Sequence, residues 1–181
     1  KAPSIVSSEP AGTLIRPDAA VRVTFDQSMD RASTEAAFSL QENADNTVVK
    51  GTVVWGELNR SLAFTPTEPL QFGKEYTIKI AATAQPASGI GSLSNEYSSV
   101  FTVAPLPAVE YSSPNDGDKE VLPDATVTLR FNTNMSTTSV IDNIRLSPAI
   151  TNTQVYSYYS DWNRELTISW LRAPQSNYTI T

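Results

Sequence analysis

One stretch occurs twice in this chain. Ala20-Val21-Arg22-Val23-Thr24-Phe25-Asp26-Gln27-Ser28-Met29-Asp30 returns as Ala125-Thr126-Val127-Thr128-Leu129-Arg130-Phe131-Asn132-Thr133-Asn134-Met135. In the first copy Val21, Val23 and Phe25 alternate with Arg22, Thr24 and Asp26, the period-2 pattern of a strand with one buried face. Val127, Leu129 and Phe131 repeat it. In each copy a Met follows the Phe by four residues, and both landmarks recur 106 positions on (25 to 131, 29 to 135).

Other landmarks recur at nearly the same spacing. Pro17-Asp18 matches Pro123-Asp124, Phe38-Ser39-Leu40 matches Ile144-Arg145-Leu146, and Asn59-Arg60-Ser61-Leu62 matches Asn163-Arg164-Glu165-Leu166. Tyr76-Thr77-Ile78 matches Tyr178-Thr179-Ile180. The drift in offset is what loop insertions and deletions produce. The repeating unit is therefore a whole domain of roughly a hundred residues, larger than a solenoid repeat.

Turn signals divide each copy into short strands. In the first copy strands are expected at Ile5-Val6, Val21–Phe25, Phe38–Leu40, Val48–Trp55, Leu62–Thr65, Tyr76–Ile80 and Val100–Val103. Ser8–Gly12 reads as a turn, Gly51 as a bulge, and Gly56–Arg60 as a hairpin connection. Ser28–Ala37 allows one helical turn with Ser33 as its cap. About seven short strands, with turns every 8–12 residues, describe an all-β sandwich. The expected organisation is an Ig-like β-sandwich over 1–104 and a second over 105–181, joined by the stiff Pro-rich linker Ala104-Pro105-Leu106-Pro107. The second copy has only three residues after Tyr178, so its closing strand is expected to be missing, which leaves an unpaired edge.

Composition narrows the chemistry. The chain has no Cys and no His, so it lacks a thiolate nucleophile, a disulfide, an imidazole base and the usual zinc ligands. Its net charge of −6 and scattered basic residues argue against nucleic acid or an anionic membrane as partner. No apolar run approaches the roughly 20 residues of a membrane helix, and no signal-peptide pattern is present. A start at Lys1-Ala2-Pro3 reads as a piece of a longer protein.

Read together, these residues resemble the bacterial Ig-like modules that end a central strand in Phe-Asp-x-x-Met-Asp, here Phe25, Asp26, Met29 and Asp30. Leu62, Phe64 and Pro66 fit the family's Leu-x-Phe-x-Pro strand, and Gly73, Tyr76 and Ile78 its Gly-x-x-Tyr-x-Ile strand. The second copy departs from it: Asp26 becomes Asn132, Asp30 becomes Ser136, and Phe64-Thr65-Pro66 becomes Ile168-Ser169-Trp170. The resemblance implies a non-catalytic unit of a large exported bacterial protein, extracellular, cell-surface or periplasmic. Adhesins, S-layer-type proteins, polysaccharide-degrading enzymes and alpha-2-macroglobulin-like protease inhibitors are such parents, and the second copy is most similar to the last setting. The inhibitor's thioester would lie elsewhere, since it needs a Cys. The partners implied are other domains of the parent chain, or a surface protein or glycan.

Three groups of residues invite a chemical reading. Asp18, Asp26 and Asp30 could offer oxygen ligands to Ca²⁺, in the manner of a rigidified surface-layer module. No Asp-x-Asp-x-Asp-Gly loop is present, and the simpler reading makes Asp26 and Asp30 caps. Tyr156, Tyr158, Tyr159 and Trp162, with Trp170, could stack on sugars or anchor a protein partner in an adhesive module. Core packing is the simpler reading here too, although Trp162 aligns with a hairpin. Met29 and Met135 are expected to plug the ends of the two cores. The Arg and carboxylate residues on the matching hairpins read as weak surface ion pairs. Walker, Rossmann and Ser-x-x-Lys motifs are absent, so no catalytic residue and no cofactor is expected. The Asn-x-Ser/Thr matches at Asn59, Asn134 and Asn177 read as chance.

Overall fold

A computed structural model describes residues 1–150 and 163–181 and the backbone of 156–160. The chain divides into two compact units, Lys1–Pro105 and Leu106–Thr181. The first contains β1 (Ile5–Glu9), β2 (Gly12–Ile15), β3 (Val21–Phe25), α1 (Arg31–Ala37), β4 (Phe38–Glu42), β5 (Gly51–Trp55), β6 (Ser61–Pro66), β7 (Glu75–Ile80) and β8 (Tyr97–Val103). One sheet has the order β1-β3-β6-β5 and the other β2-β8-β7-β4. All pairings are antiparallel except β2 with β8. This is an Ig-like β-sandwich.

Alternation decides which face is inside. Val21, Val23 and Phe25 of β3, Leu62 and Phe64 of β6, Tyr76, Ile78 and Ile80 of β7, and Phe101 and Val103 of β8 are all buried. Burying one such side chain stabilises by about 1.5–3 kcal/mol, so a shift of one residue in β3 or β7, which would turn that face to solvent, is strongly disfavoured. Tyr76 and Phe101 stack across β7 and β8 with ring centroids 5.8 Å apart.

Three local expectations need correction. The cap of α1 is Asp30, whose carboxylate accepts from Ser33 N at 2.8 Å. Ser33 lies inside the helix, where its hydroxyl instead accepts from Gln85 N at 3.2 Å. Gly51 does not form a bulge, since it pairs in register with Pro66. It is glycine for a different reason: a Cβ there would meet the Phe64 ring and Thr65 O at 2.4 Å. The segment read as a turn ends in a strand, β2, which has no pattern of its own and exists through its pairing with β8.

The second unit repeats the plan over β9 (Val109–Ser113), β10 (Val127–Phe131), α2 (Thr137–Asn143), β11 (Leu146–Ser147), β12 (Tyr156–Ser160), β13 (Glu165–Ser169) and β14 (Thr179–Ile180). Its larger sheet runs β12-β13-β10-β9, the counterpart of β5-β6-β3-β1, and β11 pairs with β14 as β4 pairs with β7. Val127, Phe131, Leu166, Ile168 and Trp170 form its buried core. This smaller set still buries Phe131 in the place of Phe25.

Candidate functional site

The residues that define the repeat converge on one end of the sandwich, where β3 leaves its sheet. Phe25 is buried in the core. Its amide donates to Arg60 O at 2.8 Å, and the amide of Met29 donates to Asn59 O at 3.0 Å. Asn59 sits at φ 52° in the hairpin turn between β5 and β6, a left-handed conformation that Asn tolerates better than most residues. Met29 is fully buried, so it closes the core where the strand pair ends.

The carboxylates do separate work. Asp26 accepts from the amide of Ser4 at 2.8 Å and from the Lys1 ammonium at 2.7 Å, which straps the segment before β1 to the end of β3. The hydrogen bond from Lys1, followed by that from the Ser4 backbone, lowers its pKa to about 2. The capping bond from Ser33 lowers that of Asp30. Asp18 lies in an exposed ion pair with Arg16 at 2.7 Å, and that contact lowers its pKa in turn. Among the described residues, no three acidic side chains gather as a metal site would require.

The second unit shows which property of these residues matters. Asn132 stands in the place of Asp26, and its side-chain oxygen accepts from Ala108 N at 2.9 Å while its amide donates to Leu106 O at 3.0 Å. Ser136 stands in the place of Asp30 and caps α2, accepting from Ser139 N at 3.3 Å. Phe131 N donates to Arg164 O at 2.7 Å and Met135 N to Asn163 O at 3.1 Å, with Asn163 at φ 62°. The bonds from backbone amides are kept, the Lys1 ion pair is replaced by a bond from Asn132 to Leu106 O, and both carboxylates are gone. The sequence alone missed the role of Asn59-Arg60 and Asn163-Arg164, although their repetition beside the Met was the available signal.

The aromatic residues are only partly in view. The side chains of Tyr156, Tyr158 and Tyr159, and the whole of Trp162, lie outside the described residues. Trp170 is buried, edge-on to Tyr178 at 5.7 Å, and the Arg172 guanidinium lies 4.1 Å from its ring centre. Elsewhere, an open depression of about 460 Å³ in the first unit is lined by Glu42, Lys50, Glu68, Leu70 and Tyr76 among others. Its buried carboxylate, Glu42, is bound by Lys74 at 3.1 Å, while Glu68 is exposed.

Fold and clasp together define a pair of Ig-like sandwich modules. The bacterial Ig-like domain profile matches residues 1–103 and again 104–181, and the chain belongs to that family. No curated protein sequence matches it significantly. Among solved structures it is similar to CopC from Methylosinus trichosporium OB3b, at 19% identity over 57% of this chain and 95% of that one, with a TM-score of 0.46. Escherichia coli alpha-2-macroglobulin shows 12% identity over 72% of this chain and 8% of its own length, TM-score 0.46. The S-layer protein rSbsC(31-844) shows 16% identity over 100% of this chain and 24% of its own, TM-score 0.44. Among the described residues, no helix is long and apolar enough to cross a membrane.

Proposed function

We propose that the chain is a non-catalytic structural module of a larger exported bacterial protein, extracellular or cell-surface in location, that spaces and orients neighbouring domains of its parent. One observation carries this reading. The motif residues that differ between the copies keep the hydrogen bonds they accept from backbone amides and lose their charge, Asp26 against Asn132 and Asp30 against Ser136. A metal site or an acid–base pair depends on the charge, whereas a clasp depends only on an acceptor atom. The parent favoured by the sequence resemblance is an alpha-2-macroglobulin-like protease inhibitor, with the pair near its N-terminus.

A spacer must hold its two units in a fixed relation, which the prolines of the linker favour. Backbone ¹⁵N relaxation on the 181-residue chain tests this. A single rotational correlation time shared by β3 and β10 is the expected result. Independent, faster tumbling of the two units would sink the spacer reading.

A further inference from the structure

The turn that follows β9 carries a pair of residues that its counterpart in the first unit lacks. Asp116-Gly117 lies there, where the first unit has Ala11-Gly12. The two glycines share a left-handed backbone, at φ 82° and 83°, which glycine adopts without steric cost. Only the second unit places a carboxyl directly before its glycine. Of the nine aspartates in the chain, Asp116 alone is followed by Gly, and no Asn is.

Both groups of this pair are free to react. Asp116 and Gly117 are exposed. Among the described residues, neither the Asp116 carboxylate nor the Gly117 amide takes part in a hydrogen bond. The turn is held by its flanks instead: Asn115 N donates to the Asp118 carboxylate at 2.7 Å, and Asp118 N donates to Asn115 O at 3.1 Å. A Cβ at Gly117 would meet nothing within 4 Å, so no neighbouring group crowds the pair. Other aspartates are engaged. Asp26 accepts from Ser4 N, Asp30 from Ser33 N, Asp45 from Thr47 N and Asp18 from Arg16. A carboxylate held in this way is not free to turn onto the amide that follows it, and a side chain on the next residue crowds that amide as glycine does not.

We propose that Asp116–Gly117 is a self-modification site, at which the second unit converts aspartate to isoaspartate. The Gly117 amide nitrogen attacks Cγ of Asp116. A C–N bond forms, the bond from Cγ to the carboxyl hydroxyl breaks, and that hydroxyl leaves with the amide proton as water. The product is a five-membered succinimide. Water then adds to one of its two carbonyls and opens the ring. Opening at Cγ restores aspartate. Opening at the main-chain carbonyl gives isoaspartate, in which the chain runs through Cβ and Cγ and the α-carboxylate is free. One water is lost and one is regained, so the change is an isomerisation that needs no enzyme, oxidant or reductant. Mass is unchanged, yet the turn gains one main-chain carbon. The bond from Asp118 N to Asn115 O spans that point, whereas the pairing of β9 with β10, from Ser113 and Thr128 onward, lies outside the turn.

The test holds the 181-residue chain at neutral pH for several weeks and maps its peptides by mass spectrometry with electron-transfer fragmentation, which separates the two linkages. Isoaspartate at 116 is expected at least tenfold above that at Asp18 or Asp124, each of which is followed by Ala. Transfer of a labelled methyl group from S-adenosylmethionine by an isoaspartyl methyltransferase reads the same product independently. Asp116→Glu, which would have to close a six-membered ring, should abolish that transfer. Asp116→Asn, which closes the same five-membered ring with loss of ammonia, should speed it at least tenfold. Isoaspartate at 116 no more abundant than at Asp18 or Asp124 would overturn the proposal. So would conversion in the urea-unfolded chain but not in the folded one, since the turn would then hold the two groups apart.

Discussion

The clasp reading makes Asp26 the most informative position for substitution. Its carboxylate accepts one amide hydrogen bond, from Ser4, and one ion pair from Lys1, whose side chain is 80% exposed. A hydrogen bond to a charged acceptor contributes roughly 1.5 kcal/mol net, and an exposed, screened ion pair adds no more than about 0.5 kcal/mol. Asp26→Ala removes both, so about 2 kcal/mol should be lost at pH 7. Asp26→Asn keeps an acceptor for Ser4 N, as Asn132 does for Ala108 N in the second unit, and should cost under about 1 kcal/mol. Opening free energies from hydrogen exchange of the slowest amides in β3 report on this unit alone. Acid adds a second readout. The pKa of Asp26 is lowered to about 2 in the folded protein, against 3.8 for a free side chain. Its electrostatic contribution is therefore complete above pH of about 4 and is lost as pH falls toward about 2. The gap between wild type and Asp26→Asn should close across that window. Equal losses for Asn and Ala at pH 7 would refute the reasoning, because they would show that charge, rather than an acceptor, is what the position supplies.

The other predictions follow from packing, capping and ion binding. Gly51→Ala places a Cβ within 2.4 Å of the Phe64 ring and Thr65 O; the ring is in the core and the carbonyl is backbone, so a loss of about 1–3 kcal/mol in urea unfolding is expected. Met29→Ala empties a fully buried site and should cost about 2–5 kcal/mol, whereas Met135→Ala, at a half-buried one, should cost clearly less by the same assay. Asp30→Ser should be tolerated and Asp30→Ala should lower the melting temperature, because Ser136 already caps α2 in the matching place. Adding Ca²⁺ or a chelator should leave the melting temperature unchanged, since Asp18, Asp26 and Asp30 each have a separate partner.

How much of this could be read in advance depended on where each residue's structural information resides. Val21, Val23 and Phe25 carry theirs locally: alternation alone puts them in the core, and the second copy confirms the register. Gly51 carries none locally, because the ring that excludes a side chain belongs to Phe64 on the neighbouring strand, and a lone glycine in a strand reads as a bulge. Ser33 and Asp30 compete as caps in sequence, and the competition is settled by which side chain reaches a free amide at the start of the turn. The strand β2 shows the strongest dependence on context. Gly12-Thr13-Leu14-Ile15 has one residue at φ 60° and no alternation, and it is a strand because β8 lies alongside it. The matching residues 118–121 keep the bend and are not a strand. The same backbone path thus adopts strand pairing in one unit and not in the other, and the difference lies in the neighbour.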